Sequence, residues 1–298
     1  MRIFARKILA WPAIESISMS IIQHIAHLLT PLYGSREAQA VARWVVEDLL
    51  RISPAQDLAG TARVLSDAEQ CRLDTVVERL LAGEPVQYVL GKAWFRGREY
   101  AVSPAVLIPR PETEDLVELV LGIPLAETDG CRMLDVGTGS GCIAVSLALE
   151  RPQARVEALD ISVEALAVAR ENARRLGANV HFAEADVLQE STMPPGPWNI
   201  IVSNPPYVRE SERASLETRV RDHEPPQALF VKDTDPLVFY RHLALWSCQA
   251  LAAGGHLLVE INAALAEETL LLIQRCGFSQ SRLENDRFGQ PRFIHAIL

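Results

Sequence analysis

After Gly130 the chain alternates short apolar runs with longer amphipathic segments, and that rhythm leaves few folds open. Residues 133–136, 156–160, 180–183, 200–203 and 256–261 have strand length, whereas 140–149, 163–176, 236–252 and 263–276 place apolar side chains at helical spacing. Strands alternating with helices pack as a parallel, doubly wound sheet, and ligands then sit at the carboxyl ends of the strands. The last two runs, 280–284 and 292–297, have no helix between them. They should form a C-terminal hairpin that gives a mostly parallel α/β sheet one antiparallel strand.

The first part of the chain has a different period. From about residue 18 to 82, apolar residues recur every three or four positions, among them Ile21, Ile25, Leu28, Leu73, Val76 and Leu80. Pro31, Gly34, Ser53-Pro54 and Ser66-Asp67 read as breaks and caps of a small helical bundle. Between 83 and 109 the pattern shortens around Gly91, Gly97 and Pro104, and Trp94-Phe95 with Tyr100-Ala101-Val102 predicts a hairpin linker. Pro111 then opens a helix whose early acids, Glu112, Glu114 and Asp115, suit its dipole, so 110–298 reads as the catalytic domain. Residues 1–17 form an N-terminal extension. Pro12 and Glu15 interrupt its apolar stretch, which argues against a secretory signal, while a transit peptide stays open.

Bulk properties narrow the function classes. A length of 298 residues suits two domains, and 49% hydrophobic residues can fill their cores. A net charge of -9 argues against a surface built to neutralise long stretches of phosphate. The five cysteines show no Cys-x-x-Cys spacing, and His223, His242 and His295 are not spaced as metal ligands, so we expect reduced thiols, a cytoplasmic location and no metal. No run is long and apolar enough to span a membrane.

Two motifs carry chemistry. Gly137, Thr138, Gly139, Ser140 and Gly141 lie between a strand and a helix, where absent side chains let the backbone approach a ligand. The next strand ends in Asp160, whose carboxylate can accept both hydroxyls of a ribose or else cap the following helix. Asp186 and Val187 follow the third strand, placed to meet an adenine, although Asp186 also suits a turn. A nicotinamide oxidoreductase would share the ribose carboxylate, but hydride-transfer groups and a second glycine pattern are not visible. The second motif is Asn204-Pro205-Pro206-Tyr207, directly after the fourth strand. Read alone, two prolines stop a strand and Tyr207 is a core aromatic. Placed after a glycine loop with its acidic partner, the tetrapeptide reads as a clamp for a planar nitrogen group: Asn204 and the Pro205 carbonyl accept its N–H groups, and Tyr207 packs on its plane.

With Gly83-Glu84-Pro85-Val86-Gln87-Tyr88 and Leu107-Ile108-Pro109-Arg110-Pro111-Glu112-Thr113-Glu114, these motifs make the chain resemble the peptide chain release factor glutamine N5-methyltransferases over nearly all of its length after residue 18. The resemblance implies a seven-stranded class I methyltransferase sheet, S-adenosylmethionine as cofactor, and methylation of the glutamine amide in the Gly-Gly-Gln loop of class 1 release factors. It also implies that the helical domain docks the release factor, with no stable nucleic-acid binding and no membrane. The same clamp serves adenine N6-methyltransferases acting on DNA, which is the competing substrate. Arg110 and Thr113 could flank the methionine end of the cofactor, and Glu260 ends a strand near the cleft. Asn262 stands where the family usually has glycine, and the tail from Phe293 to Leu298 also departs from its pattern.

Overall fold

The structure is a computed structural model that describes residues 20–59, 65–124 and 130–298, so the extension at 1–17 lies outside the described residues. The chain divides into two compact units, one ending at Leu90 and the other running from Gly91 to Leu298.

In the first unit, α1 (Ile21–Leu50), α2 (Pro54–Leu58), α3 (Asp67–Leu81) and α4 (Val86–Leu90) enclose a core of Ile25, Leu29, Val45, Leu73, Val77 and Leu80. Local chemistry sets where the first three helices begin. Ser20, Ser53 and Ser66 each close a capping box with Gln23, Gln56 and Glu69. Buried Asp57 then accepts from the N–H groups of Ile21 and Ile22, both at 3.0 Å, adding a negative charge at the positive end of α1. Pro31 does not end α1; the chain leaves helical geometry at Gly34, which has φ 69°. The 83–109 stretch expected as a hairpin linker opens with α4 before its hairpin, and Arg79 fastens the turn there, donating to Glu84 at 2.7 Å and to the Val89 carbonyl at 3.2 Å.

The second unit begins with a hairpin, β1 (Lys92–Phe95) and β2 (Arg98–Ala101), followed by α5 (Pro111–Leu121). Then come β3 (Arg132–Val136), α6 (Cys142–Glu150), β4 (Arg155–Asp160), α7 (Val163–Leu176), β5 (Val180–Glu184) and β6 (Trp198–Ser203). The remainder is β7 (Val208–Arg209), α8 (Thr218–His223), β8 (Phe230–Val231), α9 (Val238–Ala250), β9 (Leu251–Glu260), α10 (Ala266–Arg275), β10 (Gln280–Asn285) and β11 (Pro291–Ile297). The main sheet has seven strands in the order β10-β11-β9-β6-β3-β4-β5. The strand β11 runs antiparallel to both neighbours, as the missing helix before it required, while β3, β4, β5, β6 and β9 are parallel. Two apolar layers cover its faces, one around Leu134, Trp198, Tyr240 and Leu257, the other around Met133, Ile143, Val156 and Leu258.

Several boundaries differ from the sequence expectation for local reasons. The helix expected from residue 140 starts at Cys142, because Gly141 is its N-cap at φ 80°. The helix expected over 236–252 stops at Ala250, since Leu251 already pairs with Trp198 in the sheet. The segment expected to start a helix at Ala263 first makes a 3-10 turn capped by the Asn262 side chain, which accepts from Ala264 N–H at 2.9 Å. The short parallel pair β7 and β8 has no sequence signature, being only two residues on each side.

The hairpin packs firmly on the sheet domain. Fully buried Asn172 of α7 accepts from Ala101 N–H at 2.7 Å and donates to the carbonyls of Ala101 and Ser140, both at 2.9 Å. One side chain thus ties hairpin, helix and glycine loop together. Gly141 lets α6 and α7 approach: a Cβ there would stand 3.0 Å from Ala169 Cβ and 3.2 Å from its Cα. Gly141→Ala should therefore cost about 2 kcal/mol through backbone strain and overlap, whereas Gly139→Ala, with φ 53° and open space around it, should cost less. Denaturant unfolding of the two variants checks the order.

Candidate active site

Four strand ends, those of β3, β4, β5 and β6, open on one cavity of about 280 Å³. Its wall contains Gly137, Thr138, Gly139, Ser140, Asp160, Asp186, Val187, Asn204, Pro205 and Pro206, so folding brings nearly every site residue expected from the sequence to one place. Arg110 and Thr113 line it as well. Gly141 and Tyr207 do not; Gly141 serves the helix packing described above.

The glycine loop is held from below and from the side. Gly137 and Thr138 donate to the Leu159 carbonyl at 2.9 and 2.8 Å, and Gly139 N–H donates to Asp160 Oδ2 at 2.8 Å. The other Asp160 oxygen accepts from Ser162 N–H at 2.9 Å. Burial raises the Asp160 pKa, while the N–H groups of Ser162, Gly139 and Ile161 oppose that rise. Capping leaves each carboxylate oxygen a second lone pair on the cavity wall. Asp186 forms a turn: its oxygens accept from Leu188 N–H at 2.9 Å and from Gln189 Nε2 at 2.8 Å.

S-adenosylmethionine, the group the sequence resemblance implies, fits this donor set. Positive-φ glycines expose backbone beside a ribose-type carboxylate, and two apolar side chains stand in solvent at the rim, Ile161 at 57% exposure and Leu188 at 37%. Exposed aliphatics flanking a cavity are surfaces an adenine ring would cover. Sequence reasoning missed both, although an apolar residue directly after the ribose acid was a readable signal.

At the acceptor end, Asn204 leaves the sheet immediately after Ser203, the last residue of β6 paired to β3. Asn204 Nδ2 donates to Thr113 Oγ1 at 3.3 Å, Thr113 Oγ1 donates to Glu260 Oε2 at 2.8 Å, and Tyr207 Oη donates to Glu260 Oε1 at 3.0 Å. The Tyr207 ring packs against the core layer, and its hydroxyl serves a buried carboxylate. That differs from the expectation that the ring presents itself to a substrate plane. Burial raises Glu260, and the two hydroxyl donors together with Arg292 counteract it. Burial likewise raises Tyr207, with the Glu260 charge adding to the rise, so its proton stays on the hydroxyl as donor.

The loop after the clamp is fastened from two sides. Buried Glu224 accepts from Ile108 N–H at 3.1 Å and pairs with the Arg110 guanidinium. This brings Gln227 and Ala228 into the cavity wall opposite the glycine loop.

Under the loop, Asp135 is fully buried; its Oδ2 accepts from Thr138 Oγ1 at 2.6 Å and Ala144 N–H at 3.2 Å, while Oδ1 has no hydrogen-bond partner. Burial pushes its pKa from 3.8 up to about 7, against the pull of those two donors. Asp135 thus binds its proton more tightly folded than unfolded, so its contribution is present in full below about pH 4 and is lost as pH rises to about 7. Asp135→Asn should gain stability relative to the parent across that window, by on the order of 2 kcal/mol. Thermal melts of both proteins from pH 5 to 8 check it.

Comparison with known proteins agrees with this architecture. Residues 20–91 match the family model for the PrmC N-terminal domain and residues 118–221 the methyltransferase small domain. The chain is 41% identical over 276 residues to a release factor glutamine methyltransferase of Bacteroides thetaiotaomicron, covering 93% of this chain and 98% of that one. It is 47% identical over 233 residues to the Koribacter versatilis protein of the same name, covering 78% and 81%. For the Neisseria gonorrhoeae protein, also of that name, the identity is 39% over 252 residues, covering 84% and 90%. With a glycine loop, a strand-end clamp and relatives matched along almost their whole length, the chain belongs to the release factor glutamine methyltransferase family of S-adenosylmethionine-dependent enzymes.

Proposed function

We propose that this enzyme methylates the side-chain amide nitrogen, N5, of the glutamine in the Gly-Gly-Gln motif of class 1 peptide chain release factors, in the cytoplasm. The observation that carries the proposal is the joint placement of Asn204 and Pro205 on the wall of the cavity that also holds the glycine loop and Asp160. S-adenosylmethionine supplies an electrophilic methyl group on its sulfonium. Asp160 and the loop backbone would hold its ribose, Val187 with Ile161 and Leu188 would offer apolar surface to its adenine, and Asp186 shapes the turn that carries Val187 and Leu188.

A carboxamide nitrogen is a poor nucleophile because its lone pair is shared with the carbonyl, so the site has to compensate. Asn204 Oδ1 accepts one N–H of the amide and the Pro205 carbonyl accepts the other, fixing its plane and stabilising the positive charge that develops on nitrogen. Apolar Val106, Ile108, Phe239 and Leu243 border the same space and keep water from the reacting atoms. The new C–N bond forms as the methyl–sulfur bond breaks, with S-adenosylhomocysteine as the leaving group, and one amide proton then departs from the methylated nitrogen. The clamp offers neutral oxygens and no strong base, which suits a proton that leaves after transfer.

A DNA adenine could use the same two acceptors. The net charge of -9, and the glutamine methyltransferase activity for which relatives 39 to 47% identical are named, favour a protein substrate, which we assign to the helical unit to dock. Incubating the enzyme with methyl-labelled cofactor and a purified release factor, then mapping the label by mass, should place it on the Gly-Gly-Gln glutamine. Label on adenine in DNA and none on that glutamine would overturn the substrate. Asn204→Ala should lower kcat by about 100-fold or more, with the affinity for S-adenosylhomocysteine largely kept.

A further inference from the structure

An asparagine clamp works only when its oxygen, not its nitrogen, faces the amine, and the two ends of a carboxamide have the same shape. We infer that Glu260, acting through Thr113, decides which end of Asn204 faces the cavity, making both of them positioning residues for methyl transfer. The inference rests on the reading of Asn204 as acceptor for the substrate amide.

The argument follows the protons. Glu260 closes β9 at 1% exposure, and as a carboxylate it can only accept. It accepts Thr113 Oγ1 at 2.8 Å on one oxygen and Tyr207 Oη at 3.0 Å on the other. A threonine hydroxyl owns one proton. Having given it to Glu260, Thr113 can only accept in turn, and it accepts Asn204 Nδ2 at 3.3 Å. With its NH2 committed to Thr113, Asn204 has its Oδ1 on the other side of the amide. Three elements enforce this order: the first turn of α5 brings Thr113, the end of β9 brings Glu260, and the residue after β6 brings Asn204. Without the carboxylate, the Thr113 proton is free to bond Asn204 Oδ1. The amide then turns over, and NH2 would meet NH2 at the substrate.

A structural role alone would shift stability and cofactor affinity; a positioning role shifts kcat through Asn204. We expect Thr113→Val, which keeps the shape and removes the hydroxyl, to lower kcat by roughly 10- to 100-fold. KM for the release factor and the affinity for S-adenosylhomocysteine should stay within about twofold. Thr113→Ser should restore kcat to within about threefold, and Glu260→Leu, which removes the acceptor of the Thr113 proton, should fall as far as Thr113→Val. On an Asn204→Ala background, Thr113→Val should add nothing further, because its effect passes through the missing amide. The rise in melting temperature on adding S-adenosylhomocysteine confirms that each variant is folded. Wild-type kcat in Thr113→Val or Glu260→Leu, a parallel loss of cofactor affinity, or an additive loss in the double variant would overturn the inference. Full activity in Asn204→Ala would instead overturn the reading of the clamp itself, so the two failures are separable.

Discussion

Taking a carboxylate out of water costs several kcal/mol unless donors surround it, and the edge of this sheet removes a set of them together. Asp135, Glu224 and Glu260 are buried, and Asp160 is partly so. Asp160, Glu224 and Glu260 each take a donor from a distant segment. Asp135 draws Thr138 and the start of α6 inward, and Asp160 holds Gly139. Glu224 recruits Ile108 and Arg110, and Glu260 gathers Thr113 and Tyr207. Asp160, Glu224 and Glu260 thereby tie together several of the segments that line the cavity or lie directly behind its wall, with donors drawn from stretches far apart in the chain.

This organisation explains what could be read from the sequence and what could not. The alternation of apolar runs and amphipathic segments depends on periodicity, a local property, so the parallel sheet, its antiparallel strand β11 and the helical first unit were legible. The glycine loop, Asp160 and the Asn204 to Pro206 segment were legible for the same reason, because each sits at a strand end that periodicity marks. The pairings among distant acids and donors were not. Glu224 is 114 residues from Arg110, and Glu260 is 147 residues from Thr113; no spacing rule links them. Tyr207 illustrates the gap. Its position beside the clamp suggested a face offered to substrate, yet the free-energy demand of Glu260 turned its hydroxyl inward. The helical unit shows the opposite limit, since capping boxes are written within four residues and were visible as Ser53-Pro54 and Ser66-Asp67.

The rim aliphatics carry a thermodynamic consequence. Ile161, directly after β4, and Leu188, in the turn after β5, hold apolar surface in water on the cavity lining. Covering such surface releases ordered solvent, so a ligand seated on it gains part of its driving force from dehydration rather than from hydrogen bonds. Its signature is a negative heat-capacity change on binding. Affinity of that origin grows with temperature up to the point where the enthalpy of polar contacts takes over, and it is insensitive to ionic strength, a property useful to an enzyme whose own surface is strongly acidic.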